Sequence, residues 1–201
     1  MNTRLIAARW CLPALLALLP QLALAHSPIE GIGRFYGGLL HPVLVLPHAL
    51  ALLTFALLVG QCGVSAMRRA YPPFLLALAV GLTLAGFDMT FGLPSERLLL
   101  SSALLCGLLV VLQWKLPLLA FTVLGAILGA VVGLDSGVEA GLSRQETFAA
   151  LLGCWLGATI GLIVIAGVVE LARRPWQKVA IRIVASWVCA STLLVLALAL
   201  R

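Results

Sequence analysis

The sequence predicts an all-α protein, a polytopic transmembrane helical bundle, from its composition and from the length of its apolar segments. Of the 201 residues, 63% are hydrophobic and only 10% are charged, which is too little charge to cover a soluble domain of this length. Several apolar runs approach the roughly 20 residues with which a helix crosses a bilayer. Because these runs lack the period-2 alternation of barrel strands, we expect helices that satisfy their own backbone hydrogen bonds within lipid.

Residues 1–25 have the three-part pattern of a secretory signal peptide. Arg4 and Arg9 precede a short apolar core, and the sequence ALA at 23–25 provides an A-x-A cleavage site. Cleavage leaves His26 as the first residue of the mature chain, where its α-amine and imidazole can chelate one metal ion together. The alternative is a signal anchor that is not cleaved.

The mature chain, residues 26–201, is predicted to form a single integral membrane domain with about six transmembrane helices. The apolar segments lie at residues 40–62, 71–92, 97–114, 116–134, 147–171 and 179–200. Basic residues collect in alternate loops, which the positive-inside rule places in the cytoplasm. These residues are Arg68, Arg69, Lys115, Arg173, Arg174, Lys178 and Arg182. Both mature termini are therefore predicted to lie outside.

Most acidic residues lie at the other, outer end of the predicted bundle. They are Glu30, Asp88, Glu96, Asp135, Glu139 and Glu146. An acidic outer mouth raises the local concentration of cations and favours divalent cations as partners. The basic residues are scattered along loops and form no stripe with interleaved aromatic residues, so we expect no nucleic-acid partner.

The chemistry of the chain is predicted to centre on His41 and His48, at the head of the first apolar segment. Imidazole inside a bilayer is costly unless it faces a partner, water or an ion. Seven residues make nearly two turns, so a straight helix presents both rings on one face, about 10 Å apart along its axis. Pro47 is expected to kink this helix, whereas Pro42 is expected to begin it. Alternatively, both histidines make only interhelical hydrogen bonds.

Asp88 is the acid expected to lie within hydrocarbon depth, with a histidine of the adjacent helix as its nearest partner. Imidazole and oxygen donors suit Ni²⁺, Co²⁺ or Zn²⁺. The predicted metal ligands are His26, His41, His48, Asp88 and Glu96. Ser95 follows the helix-breaking Pro94 and is expected to cap the next helix.

Two segments carry glycine at every fourth position, a pattern that lets helix backbones approach closely. The glycines are Gly125, Gly129 and Gly133 in the fourth segment and Gly153, Gly157 and Gly161 in the fifth. A loop of roughly a dozen residues connects the two segments. We therefore predict that these segments pack against each other as an antiparallel pair.

Together these features resemble the HupE/UreJ family. The resemblance rests on the leader that ends before a histidine, the six-helix plan, the H-P-x5-H run from His41 to His48, and the sequence GLPSE at 92–96. Members of this family are bacterial inner-membrane proteins associated with hydrogenase and urease maturation and regarded as nickel or cobalt permeases. The resemblance implies a location in the bacterial inner membrane, nickel or cobalt as the ion, and metalloenzyme maturation proteins as partners.

The chain departs from the family pattern in two places. Pro47 stands where the family has an acidic residue directly before its second histidine, and the family's H-G-x-x-H-G motif has no counterpart around residues 124–129. The family therefore implies the membrane architecture more strongly than it implies nickel transport by this chain.

The leading hypothesis is a secondary permease for a divalent transition-metal cation. No G-x-x-x-x-G-K-[ST] motif is present, so an ion gradient or the membrane potential is expected to supply the energy. Apart from the ion, no tightly bound cofactor is expected. No nucleophile motif accompanies the histidines, so we expect no enzyme. The alternative is an accessory protein that binds metal or a partner protein without transport, and an oligomer is compatible with either hypothesis.

Overall fold

The computed structural model describes residues 33–87, 89, 92–137 and 141–199, which form helices, turns and loops without a β-strand. The helices are α1 Arg34–Leu44, α2 Leu46–Cys62, α3 Val64–Gly86, α4 Ser95–Leu112, α5 Leu118–Asp135, α6 Arg144–Glu170 and α7 Pro175–Ala199. The predicted all-α bundle is confirmed. The predicted signal peptide at 1–25 lies outside the described residues, as do His26 and Asp88.

Five helices, α3 to α7, are long and apolar enough to cross a membrane. Helices α1 and α2 pass the same test only as a pair, and they are bent by 68° at the break between them. With the bent pair counted as one broken span, the described residues provide the predicted six spans. The chain is therefore a multi-pass membrane protein whose outer surface contacts the lipid bilayer.

Helix α3 begins earlier in the chain than the segment predicted at 71–92. It covers Val64–Gly86, so Pro72 and Pro73 lie inside the helix. Proline has no N–H, and Pro73 therefore cannot bond the carbonyl of Arg69 four residues before it. The hydroxyl of Thr122 on α5 lies 3.4 Å from that carbonyl and donates to it. A neighbouring helix thus supplies the missing donor, which is how membrane helices tolerate proline.

Helix α2 runs through the centre of the bundle and contacts each of the other six described helices. It is apolar on all sides, as expected for a helix that is surrounded by others. Side chains from α2, α3 and α5 fill the space around its middle, and those of Phe55, Leu58, Phe74, Leu78 and Phe121 are almost completely buried. The middle of the bundle is therefore packed with apolar side chains.

The two glycine stripes do not pack against each other, so that prediction is wrong. Gly125 and Gly129 of α5 lie against the carbonyl groups of Ala70 and Phe74 on α3. Gly153 of α6 lies against the carbonyl of Phe35 on α1. Each stripe allows the close backbone contact expected of small residues, but its partner is a helix from an earlier part of the chain. The short helix α1 lies along Gly153 and Gly157 and occupies the face predicted for α5.

Candidate metal-binding site

The bend between α1 and α2 occurs at Val45, between the two histidines. Val45 has an extended backbone (φ −83°, ψ 109°), and its N–H donates to the carbonyl of His41 at 3.0 Å. Pro47 lies in the first turn of α2, where a missing N–H costs no helical hydrogen bond. Pro42 lies inside α1. The structure therefore reverses the predicted roles of the two prolines: Pro42 is internal and Pro47 begins a helix.

The bend brings the two imidazole rings together. The ring centroids of His41 and His48 are 5.1 Å apart, and the ring planes meet edge to face at 62°. On a straight helix the same residues would be separated by about 10 Å along the axis. Two nitrogen donors from one broken span therefore face a common region at one end of the bundle.

His48 is fully buried and makes a hydrogen bond that was not predicted from the sequence. Its Nε2 lies 2.9 Å from Oδ2 of Asp135, the last residue of α5. Asp135 was expected in the acidic mouth, and Asp88, in the next predicted helix, was expected to be the histidine partner; Asp88 lies outside the described residues. One signal in the sequence could have indicated this contact. Asp135 ends a long apolar helix, at the same predicted end of the bundle as His48.

Ser95 completes the arrangement from a third helix. Its hydroxyl donates to Oδ1 of Asp135, so the two carboxylate oxygens join α2, α4 and α5 at one point. The predicted capping role of Ser95 is wrong: Pro94 is the N-cap residue of α4, and no side-chain capping bond forms there. A carboxylate is a stronger acceptor than a neutral group, which accounts for this choice of partner.

The contact with Asp135 also determines which His48 nitrogen faces the interior. An ionised carboxylate can only accept, so the hydrogen bond favours the tautomer in which Nε2 carries the proton and Nδ1 the lone pair. Nδ1 is buried and has no hydrogen-bond partner among the described residues. Carboxylates orient metal-binding histidines in this way. Nδ1 is therefore the atom of His48 that can bind a cation.

The described part of the chain does not bring the other predicted ligands to the two histidines. Glu96 is exposed in the first turn of α4, and His26 and Asp88 lie outside the described residues. Within residues 33–87, 89, 92–137 and 141–199, no group of three or more His, Cys, Asp and Glu side chains could hold a metal ion. The described donors at this end are two histidines supported by one carboxylate.

Two of the carboxylates at this end already accept hydrogen bonds within the protein. Asp135 is engaged by His48 and Ser95, although its side chain remains 25% exposed. Glu146 belongs to a capping box at the start of α6, where its Oε2 accepts from the Ser143 hydroxyl at 2.7 Å. Because Asp135 is partly exposed, the buried His48 and the half-buried His41 lie next to a carboxylate that an approaching cation can reach.

Replacing Pro47 by alanine is expected to weaken cation binding at the histidines. The substitution restores an N–H that can bond the carbonyl of Val43, which favours a continuous helix through Val45 and separates the two rings. Cobalt titration of the purified protein should show an affinity a fewfold lower than that of the wild type. The matched control is Pro73→Ala, a proline substitution in α3. Equal affinities of Pro47→Ala and wild type would contradict the role of the bend.

Comparison with known proteins identifies the family of the chain. The profile of the HupE/UreJ protein family matches residues 14–196, which is most of the sequence. No curated protein and no solved structure matches the chain. The matched region contains the bent histidine span, the central helix and the Asp135 contact described above. The chain therefore belongs to the HupE/UreJ protein family.

Proposed function

We propose that the protein is a secondary permease of the bacterial inner membrane for a divalent transition-metal cation, with nickel or cobalt as the preferred cargo. Family membership supports a membrane accessory protein linked to nickel or cobalt handling. In this proposal the protein is no enzyme, it holds no permanent cofactor, and it supplies metal for the maturation of metalloenzymes. Its partners are the bilayer, the ion and the maturation proteins that receive it.

One observation carries this proposal: a fully buried histidine is oriented by a carboxylate and faces a second imidazole. His48 contributes Nδ1, and the ring of His41 lies 5.1 Å from the ring of His48. Neutral imidazole is a good ligand for divalent nickel and cobalt. Asp135 partners Nε2 of His48, but Nδ1 is buried without a hydrogen-bond partner among the described residues, which is unfavourable unless the atom has such a use.

The small number of donors suits a transported ion. An ion that passes through a protein must bind strongly enough to enter and weakly enough to leave. Two imidazoles with a nearby carboxylate replace only part of the hydration shell of a divalent ion, so water completes its coordination. His26 and Asp88, which lie outside the described residues, are proposed as additional donors during entry, and Glu96 as an exposed acid that attracts the ion.

The proposed orientation follows from charge. Arg68 near the start of α3, and Lys115 and Arg173 in the loops after α4 and α6, lie at the opposite end of the bundle from His48. The positive-inside rule assigns such basic residues to the cytoplasmic side. Both mature termini are then periplasmic, and the histidines face the periplasmic end. Under this orientation a cation reaches Asp135 and the histidines first.

A second candidate function is an accessory protein that binds the ion without transport. The packed middle of the bundle favours it, since Phe55 and Phe74 are fully buried and their rings lie 6.0 Å apart. Among the described residues, apolar side chains separate the histidines from the opposite end. A permease must open this region during its cycle, whereas a binding protein need not.

Uptake of labelled cobalt into proteoliposomes, with binding measured on the same preparation, tests both candidates. We expect His48→Ala and His41→Ala each to lower uptake and affinity about a hundredfold, because each removes a nitrogen donor itself, and loss of a group that only orients such a donor already costs about ten- to hundredfold. Thr54→Val is the matched control: Thr54 is also buried in α2, but its hydroxyl bonds only carbonyls of its own helix. Binding without uptake favours the accessory protein, and wild-type protein that neither binds nor transports cobalt excludes both.

A further inference from the structure

A cavity opens at the end of the bundle opposite the histidines. It lies where α2 gives way to α3, α4 to α5, and α6 to α7, and its volume is about 740 Å³. Pockets of roughly 300–1,000 Å³ hold small organic ligands. Gln61 in its wall is about 20 Å from His48, estimated from the helical rise along α2. The cavity is therefore separate from the histidine site.

The cavity carries an excess of positive charge. Lys115, Arg173 and Lys178 line it, and Glu170 is the acidic residue of its lining. Glu170 accepts a hydrogen bond from Arg173 at 3.1 Å, which leaves the charges of the two lysines uncompensated. Neither lysine forms an ion pair within the described part of the chain. A divalent cation is repelled by such a lining and an anion is attracted.

Gln61 requires that a ligand of the cavity carry a hydrogen-bond donor. Its Nε2 donates to the carbonyl of Val110 at 3.4 Å. Its Oε1 is buried and has no hydrogen-bond partner among the described residues. A buried acceptor without a donor is unfavourable, and a bare anion offers none. The ligand that fits combines a negative charge with a hydroxyl group.

We propose that this cavity binds the headgroup of an anionic phospholipid that bears hydroxyl groups. Lys115 and Lys178 attract the phosphodiester. A turn of the Gln61 amide brings the buried Oε1 to the cavity surface, where it accepts from a headgroup hydroxyl. Apolar residues of the lining, among them Leu118 and Ile181, contact the glycerol backbone and the adjoining acyl carbons. Basic pockets between membrane helices recognise anionic headgroups in this manner. The proposal depends neither on metal transport nor on which end faces the cytoplasm.

Phosphatidylglycerol is the probe, because it has both a phosphodiester and hydroxyl groups. Native mass spectrometry of the full-length protein from vesicles of phosphatidylglycerol and phosphatidylcholine should show preferential retention of phosphatidylglycerol. The double variant Lys115→Ala/Lys178→Ala should lose roughly twenty- to thirtyfold in affinity for it, since each basic residue near a membrane surface contributes roughly fivefold. Equal retention of the two lipids by the wild type overturns the proposal.

The control is the double variant Arg68→Ala/Arg69→Ala. Both arginines are exposed at the same end of the bundle, on α3, but neither lines the cavity. This variant should retain wild-type affinity for phosphatidylglycerol. If it loses as much affinity as the lysine variant, retention reports the charge of the whole surface, and the assignment to the cavity is wrong.

Two further arms identify the ligand. Wild type should prefer phosphatidylglycerol to phosphatidylmethanol, which has the same charge without a headgroup hydroxyl, and Gln61→Leu should abolish that preference. Inorganic phosphate and glycerol phosphate should not displace the lipid at equal concentration. Displacement by either would assign the cavity to a soluble phosphate and overturn the lipid proposal. A preference for phosphatidylglycerol that Gln61→Leu leaves unchanged would remove Gln61 from the site.

Discussion

Cobalt affinity is expected to fall ten- to hundredfold when Asp135 is replaced by alanine, the range typical for loss of the group that orients a metal-binding histidine. Without the carboxylate, Nε2 of His48 loses its 2.9 Å partner, and the preference for a proton on that nitrogen disappears. The ring of His48 is then free to turn, and Nδ1 loses its fixed orientation. Titration of the purified protein with cobalt, followed by visible absorption, measures the affinity, and uptake into proteoliposomes should fall in parallel.

Two variants show whether the effect comes from orientation. Asp135→Asn keeps an oxygen that can accept from His48, so its affinity should lie between those of the wild type and the alanine variant. Ser95→Ala removes only the hydroxyl that donates to the second carboxylate oxygen and should cost less than Asp135→Ala. Wild-type affinity in a folded Asp135→Ala variant would mean that His48 is oriented by something else.

The helical bundle was predictable because a membrane-spanning helix requires a long apolar segment, which is visible in the sequence. Apolar runs that must satisfy their backbone hydrogen bonds form helices whatever their neighbours are. Gly129 and Gly153 likewise indicated close backbone packing. Which helix each glycine faces was not predictable, because α1 reaches α6 only through the change of direction at Val45. The short loop between α5 and α6 suggested that these consecutive helices pack against each other. The bend at Val45 instead places α1 on the glycine face of α6.

The arrangement of the two histidines was predictable in part. His41 and His48 stood out because imidazole is rare and costly in hydrocarbon. Their approach to 5.1 Å was not predictable, because two prolines flank the histidines and either could interrupt the helix. The contact of Asp135 with His48 was not predicted, for a related reason: Asp88 is nearer in sequence, but the end of α5 lies beside the start of α2. The predicted contact of Asp88 with a histidine lies outside the described residues. The expected partner was chosen by its order in the sequence. In the structure, the packing of α5 on α3 determines where Asp135 lies.

The close contact between α3 and α5 predicts a large effect of Gly129→Ala on stability. An added Cβ falls on the carbonyl oxygen of Phe74 and lies 3.1 Å from the amide nitrogen of Leu78. Both are backbone atoms, so the two helices must move apart. Overpacking of this kind costs about 1–3 kcal/mol, more than the roughly 1 kcal/mol that alanine contributes to an isolated helix. Reversible unfolding of the purified protein in mixed micelles measures the change.

Gly161→Ala provides the matched control, because Gly161 is also a glycine of a four-residue stripe but has open space where its Cβ would be. Alanine there should leave stability unchanged or raise it by up to about 1 kcal/mol. The two substitutions add the same methyl group to a membrane helix, so only the neighbouring backbone distinguishes them. Since α5 carries Asp135, separation of α3 and α5 should also lower cobalt affinity in Gly129→Ala. Equal stability of the two variants would show that α3 and α5 do not meet backbone to backbone.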